Sequence, residues 1–266
     1  MKLEGRNVLI TGAARGIGQA TAVELARAGA DIVGVDLRQA DLQETERLVR
    51  EVGCKFSGYA CDVSDEGAVK ALMEKVRSSG GFDVLVNNAG VLPSGPFHER
   101  EFDVWRKTIE VNLIGLMMLT HAALPVLFER PEAHIVNIAS IAGKFGTEGV
   151  AAYAASKHGV VGFSSALRAE LYGTGVGVSW ICPSMAATRM AAGVREHFLT
   201  PLVQPAQIAR AIRRAIEKNA IEVFVPGWVR LGTSILPALF PRFARWFARA
   251  TRASASWLEA RKELAA

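Results

Sequence analysis

Thr11-Gly12-Ala13-Ala14-Arg15-Gly16-Ile17-Gly18 stands between a short β-branched run, Asn7–Thr11, and a segment with helical spacing, Gly16–Ala28. A strand passing through a glycine-rich turn into a helix has a specific use. Glycine is needed where the backbone turns sharply and where main-chain N–H groups at a helix N-terminus must reach a pyrophosphate. Gly12, Arg15, Gly16, Ile17 and Gly18 are therefore the candidate phosphate cradle of a dinucleotide site. The next β-branched run, Asp31–Asp36, ends on a carboxylate placed to accept hydrogen bonds from the two adenosine ribose hydroxyls.

The same alternation continues along the chain. Further strands are expected at Phe56–Asp62, Asp83–Asn87, His134–Ala139, Val176–Cys182 and Glu222–Val225. Helical spacing marks Leu42–Val52, Glu66–Ser78, Phe102–Phe128, Ala152–Leu171 and Ala206–Lys218. Right-handed βαβ crossovers follow, so the expected fold is α/β: a Rossmann-like, doubly wound parallel sheet of about seven strands. We assign residues 1–226 to one dinucleotide-binding and catalytic domain and residues 227–266 to a C-terminal amphipathic helical extension of it.

Half of the 266 residues are hydrophobic, enough for a sizeable core. Cys54, Cys61 and Cys182 lie far apart and without histidine partners, which argues against a metal site or a disulfide framework and for a reducing, cytoplasmic setting. No signal-peptide pattern opens the chain, and no uninterrupted run of about 18 apolar residues is expected to cross a bilayer. The net charge of +5 arises entirely after residue 226; the body is balanced, with no basic stripe for nucleic acid.

The spacing TGxxxGxG resembles the short-chain dehydrogenase/reductase family, and the likeness runs through roughly residues 6–226. By that resemblance, Asp62 and Val63 in Cys61-Asp62-Val63 contact adenine, and Asn87-Asn88-Ala89-Gly90 matches the NNAG signature, with Asn88, Ala89 and Gly90 beside the cofactor. Tyr153-Ala154-Ala155-Ser156-Lys157 places Tyr153 and Lys157 on one helix face. The family's active site adds a serine and an asparagine, matched by Ser140 and Asn112. Pro183 and Thr188 fit the loop that holds the nicotinamide carboxamide, whereas Ser184 departs from the usual glycine.

Chemistry gives these residues their expected roles. A free phenol titrates near 10, too high for an efficient base, and a neighbouring ammonium together with the positive nicotinamide favours phenolate. Tyr153 is thus the expected acid/base and Lys157 its tuner, with a probable-ligand role for Lys157 on the nicotinamide ribose implied by the resemblance. Ser140 would hold the substrate oxygen, and Asn112 would fix a water linking Lys157 to solvent. The implied activity is hydride transfer between NAD(P), with NAD preferred, and a lipophilic alcohol or ketone; a non-catalytic dinucleotide sensor or scaffold is the alternative.

Leu92, Ile141, Phe145 and Val150, with a cover over Met185–Leu202 carrying Met190, Val194, Phe198 and Leu202, suggest an apolar pocket. The resemblance also implies a homodimer or homotetramer formed through Phe102–Phe128 and Ala152–Leu171. From Leu239 onward, Leu239, Phe240, Phe243, Trp246, Phe247 and Ala250 alternate with Arg242, Arg245, Arg249 and Arg252 at helical spacing. That pattern predicts a basic amphipathic helix starting around Pro237 and Pro241, docked on the enzyme itself or on an anionic membrane surface.

Overall fold

The computed structural model describes residues 1–146, 148–188, 190 and 201–242. Its centre is a parallel sheet of β1 (Asn7–Thr11), β2 (Asp31–Asp36), β3 (Phe56–Ala60), β4 (Val84–Asn87), β5 (Ala133–Ile138), β6 (Val176–Pro183) and β9 (Glu222–Val225). The order is β3-β2-β1-β4-β5-β6-β9, so the chain reverses direction across the sheet between β1 and β4. Ligands of such sheets bind at the carboxyl ends beside that reversal. The expected fold class is borne out, with most strand and helix ends within two residues of the sequence reading.

Alternation along each strand builds two cores. Val8 and Ile10 of β1 point into one with Val84, Val86, Val136 and Ile181, covered by α1 (Gly16–Ala26) and α7 (Pro205–Lys218). Leu9 points the other way, with Leu85, Ile135 and Val178, under α3 (Glu66–Ser78), α5 (Leu116–Phe128) and α6 (Ala151–Glu170). Because both faces are covered, β4 and β5 are buried at every position, which is why they read as unbroken apolar runs. Each such Leu, Ile or Val stabilises the fold by about 1.5–3 kcal/mol. The remaining helix of the body is α2 (Gln43–Glu51).

Three expectations need correction. The long helix Phe102–Phe128 is α4 (Phe102–Ile109) and α5 joined by a π-helical turn, Glu110–Gly115. It is also long and apolar enough by length and composition to cross a membrane, although half of its most apolar window is buried in the protein, as in a core helix. A small parallel pair, β7 (Met185–Ala186) and β8 (Leu202–Val203), was not foreseen; two-residue strands carry no readable period.

The third concerns the tail. Val229 is buried against Trp180 and Phe224, so the chain after Pro226 still contributes to the body's core. A π-turn, Leu231–Ile235, leads into α8 (Leu236–Leu239), which has Pro237 in its first turn as expected. The helix does not run on through Leu239. Phe240 leaves helical geometry (φ −133°, ψ 66°) because a residue preceding proline, here Pro241, is pushed out of the α region. Phe243, Arg245, Trp246, Phe247, Arg249, Ala250 and Arg252 lie outside the described residues, as do Val194 and Phe198 of the expected cover.

Candidate active site

The glycine-rich turn after β1 is shaped for an anion. Gly12 and Gly16 adopt φ of +64° and +59°, which side chains other than glycine's rarely tolerate. At Gly18 the constraint is distance: a Cβ there would sit 2.1 Å from the Gly12 carbonyl oxygen and 2.7 Å from Asn88 Nδ2. Helix α1 begins without a side-chain cap, since Arg15 makes no capping bond, and without an acidic residue in its first turn. Its leading N–H groups therefore need an outside acceptor, and the helix dipole favours a negative one. Arg15 is exposed and Ile17 half-buried beside this opening. These features fit the pyrophosphate of a dinucleotide.

Side chains on the neighbouring strand ends hold the turn in place. Thr11 Oγ1 accepts from the N–H groups of Asn88 and Ala89, both at 3.0 Å. Asn88 Nδ2 donates back to the carbonyls of Thr11 (2.8 Å) and Gly12 (3.1 Å). Asn88 is thus a tie between β4 and the cradle. Gly90 continues this strand end, where a Cβ would meet Asn112 Oδ1 at 3.1 Å. Asn87 anchors a buried chain to Thr120 and Asn137, each at 2.9 Å, and Asn137 donates on to Ser164.

Asp36 Oδ2 accepts from the Ala14 N–H and Oδ1 from the Leu37 N–H, both at 2.9 Å. Each oxygen keeps a further lone pair for a ribose hydroxyl. Arg38 is turned toward Asp41 by two bonds to one carboxylate oxygen, at 3.0 and 2.9 Å. Asp62 follows β3, where burial opposes its charge but Ser64 and Lys107 together hold its carboxyl below the usual range. Val63 is buried next to it.

The remaining candidates gather past β5 and β6. Ser140 caps a short 3-10 turn, Ile141–Gly143, by accepting from the Ala142 N–H at 3.1 Å, which leaves its own proton to donate. Tyr153, half-buried on α6, has its phenol pushed up to about 12 by burial, with the Ser140 hydroxyl pulling the other way. Lys157, one helical turn on, is buried and donates to the Ile138 carbonyl at 2.7 Å. Burial brings it down to about 8, while nearby Cys182 works in the opposite sense.

The expectation that Lys157 holds the Tyr153 phenol below 10 is therefore corrected for the chain by itself. The ammonium lies 5.7 Å from the ring centroid, is bonded elsewhere, and is itself shifted toward neutrality. The role foreseen for the Asn112 side chain also changes. Its Oδ1 accepts from the Val91 N–H (2.8 Å), and its Nδ2 donates to the Val91 carbonyl (2.9 Å) and to Ser156 Oγ (3.2 Å). Both amide protons are engaged, so a water beside Lys157 would need another donor; the side chain instead ties the end of β4 to the helix that carries Tyr153.

Pro183 ends β6, and Thr188 lies against Gly16, where a Cβ would meet Thr188 Cγ2 at 3.2 Å. One arm of chain thus reaches from the catalytic corner back to the cradle. Of the expected pocket, Ile141 and Phe145 pack instead into the core with Trp180 and Cys182. Val150 is buried, Leu92 half-buried, and Met190 and Leu202 exposed. Sequence reading missed Thr11 and Gly143. A Cβ at Gly143 would come within 2.6 Å of the Lys157 carbonyl, so only glycine lets the Ser140 turn press against α6. The TG pair at the strand end was the available signal for Thr11. No cluster suited to a metal ion occurs among the described residues.

A doubly wound sheet with a phosphate cradle after β1 and a serine, tyrosine and lysine past β5 defines a dinucleotide-dependent oxidoreductase. Residues 6–198 match the family model described as short chain dehydrogenase. The chain is 37% identical over 227 residues to the ketoacyl reductase HetN of Nostoc sp., covering 84% of this chain and 79% of the relative. It is 33% identical over 241 residues to estradiol 17-beta-dehydrogenase 11 of Rattus norvegicus, covering 89% and 80%. In three dimensions it resembles carveol dehydrogenase from Mycobacterium avium in complex with NAD, with a TM-score of 0.77, 26% identity, and coverage of 84% of this chain and 97% of the other. The chain belongs to the short-chain dehydrogenase/reductase family and is an NAD(P)-dependent oxidoreductase.

Proposed function

We propose that this enzyme transfers hydride between NAD and the carbonyl or alcohol carbon of a lipophilic ketone or secondary alcohol, with Tyr153 as acid/base. The observation that carries the reading is the corner past β5, where Ser140 keeps a free hydroxyl proton beside a phenol that is protonated at neutral pH. Bound in the cleft, the nicotinamide supplies or accepts the hydride. In the reducing direction the Ser140 hydroxyl holds the carbonyl oxygen, and Tyr153 gives its proton to that oxygen as charge develops. Lys157, with two ammonium protons beyond the one on Ile138, can hold the nicotinamide ribose and replenish the phenol.

The lipophilic assignment is supported by relatives named for ketoacyl and estradiol chemistry. NAD preference is supported by Asp36, which would repel a 2′-phosphate, and by Arg38, which is engaged with Asp41. A substrate panel of acyl, steroidal and terpenoid ketones, followed by NADH and NADPH absorbance, tests both. Turnover confined to small hydrophilic carbonyls would overturn the lipophilic reading.

We also propose a peripheral contact with anionic membranes. Trp228, Leu231, Ile235, Leu239 and Phe240 are all exposed within one short stretch, alongside Arg230 and Arg242, and the residues after 226 carry the chain's whole excess of positive charge. Co-sedimentation of the full chain with anionic vesicles at low salt, lost with neutral vesicles, is the expected result. Self-association through the long helices, where Phe102, Ile114, Met117 and Phe128 are exposed, is the parallel proposal; a dimer or tetramer by light scattering is expected.

A further inference from the structure

Ser184 has a buried side chain, 6% exposed, and its Oγ has no hydrogen-bond partner within the protein. Buried hydroxyls are ordinarily satisfied, so an orphan at the end of a central strand points to a missing partner. Its direction follows from the ladder. Trp180 donates to the Ile221 carbonyl at 3.0 Å and Ser184 to the Val225 carbonyl at 2.8 Å, so β6 keeps its register against β9 one residue past its last assigned position. Side chains alternate along such a ladder. Trp180 and Cys182 face the α6 side, and Ile181 faces the opposite core, so Ser184 faces the α6 side too. It lies about 6.6 Å beyond Cys182 toward the carboxyl end, and Cys182 itself is near enough to bear on the protonation of both Tyr153 and Lys157.

The arm from Pro183 to Thr188 that begins at this hydroxyl ends over Gly16 in the phosphate cradle. A dinucleotide lying along it has its phosphates at the Thr188 end and its nicotinamide at the Ser184 end. A hydroxyl both donates and accepts, which matches a primary amide with its carbonyl and NH2. We propose that Ser184 is a cofactor-positioning residue whose Oγ hydrogen-bonds the nicotinamide carboxamide, replacing the glycine usual at this place with a side-chain contact. The inference rests on the dinucleotide site and not on the identity of the substrate.

The test is binding, not turnover. NADH and ADP-ribose, which lacks the nicotinamide, are titrated by tryptophan fluorescence or calorimetry against the wild-type enzyme and Ser184→Ala, with melting of each ligand-free protein. The expected result is an NADH Kd raised about tenfold, or about 1.4 kcal/mol, an ADP-ribose Kd within twofold, and a melting temperature that does not fall, because an unsatisfied hydroxyl has been removed. Ser184→Gly removes the same hydroxyl with the family's own residue and should behave likewise if Ser184→Ala folds poorly. An unchanged NADH affinity, an equal loss for ADP-ribose, or a marked drop in stability in the variant that folds would each overturn the proposal. Loss of ADP-ribose binding by the wild-type enzyme would instead count against the dinucleotide site itself.

Discussion

The cradle after β1 and the corner past β5 solve different problems with different material. The cradle is built from backbone: N–H groups at the start of α1, glycines at Gly12, Gly16 and Gly18, and side chains such as Thr11 and Asn88 that bond main-chain atoms. None of that depends on protonation. The corner is built from side chains held under electrostatic tension, with a phenol pushed up, an ammonium pushed down and a hydroxyl left without a partner. Binding is preformed, whereas the chemical groups are displaced from their resting values and their balance is completed by ligand. Substitutions in the two regions should therefore fail differently.

The largest effect is expected from Tyr153→Phe. It removes the proton carrier and leaves the cradle untouched, so turnover should fall by about 10³-fold while the NADH Kd stays within about threefold of wild type. Rapid-mixing kinetics with parallel fluorescence titration measures both. Turnover within tenfold of wild type would break the division of labour drawn above. Gly18→Ala should show the converse. A Cβ 2.1 Å from the Gly12 carbonyl forces the turn apart, and we expect NADH affinity to fall about 100-fold, or about 2.7 kcal/mol, with a lower melting temperature.

A smaller change is expected at Asp36, which serves both regions' shared ligand. Asp36→Ala removes the charge that disfavours a 2′-phosphate and should narrow the ratio of kcat/KM for NAD over NADP by about tenfold. It also releases the Ala14 N–H, so some loss of affinity for both dinucleotides is expected. Equal efficiency with the two cofactors in the unaltered enzyme would remove Asp36 as the deciding residue.

The cradle was legible in the sequence because its determinants are local: a strand, a glycine turn and a helix occupy consecutive residues, and both cores follow from period-2 and period-3.6 patterns. The corner was legible in its cast and less so in its energetics. Ser140, Tyr153 and Lys157 could be named from spacing, but the state of Tyr153 depends on how deeply the phenol is buried and on Lys157 being drawn to the Ile138 carbonyl 19 positions earlier. Asn112 shows the same limit, since its partners Val91 and Ser156 lie 21 and 44 residues away. The break at Phe240 was readable from Pro241 and was overridden by the apolar period of the tail.

His134 shows that tension alone does not make a site, and it gives the finest test of the comparison. It is the second residue of β5, at the amino end of the sheet and away from both the cradle and the corner. Its Nε2 lies 2.8 Å from Ser179 Oγ, and Ser179 gives its only proton to the Ala220 carbonyl, so Nε2 must carry the imidazole proton. Burial, then Arg168 and the N-terminal ammonium, lower its pKa from 6.5 to about 3. A histidine depressed in this way is neutral in the fold and charged in the unfolded chain between those values. Its contribution to stability is complete above pH 6.5 and is lost as the pH falls toward 3, with a limiting slope of about 1.4 kcal/mol per pH unit. Lys157, lowered from 10.5 to about 8, acts in a separate window, where stability rises with pH between 8 and 10.5. Urea unfolding at pH 4, 5, 6 and 7 should therefore give a clear acid slope that His134→Asn flattens by up to one proton, with turnover at pH 7 unchanged. An acid slope identical in the variant would show that His134 is charged in the fold, and a large loss of turnover would extend the catalytic corner to the far end of the sheet.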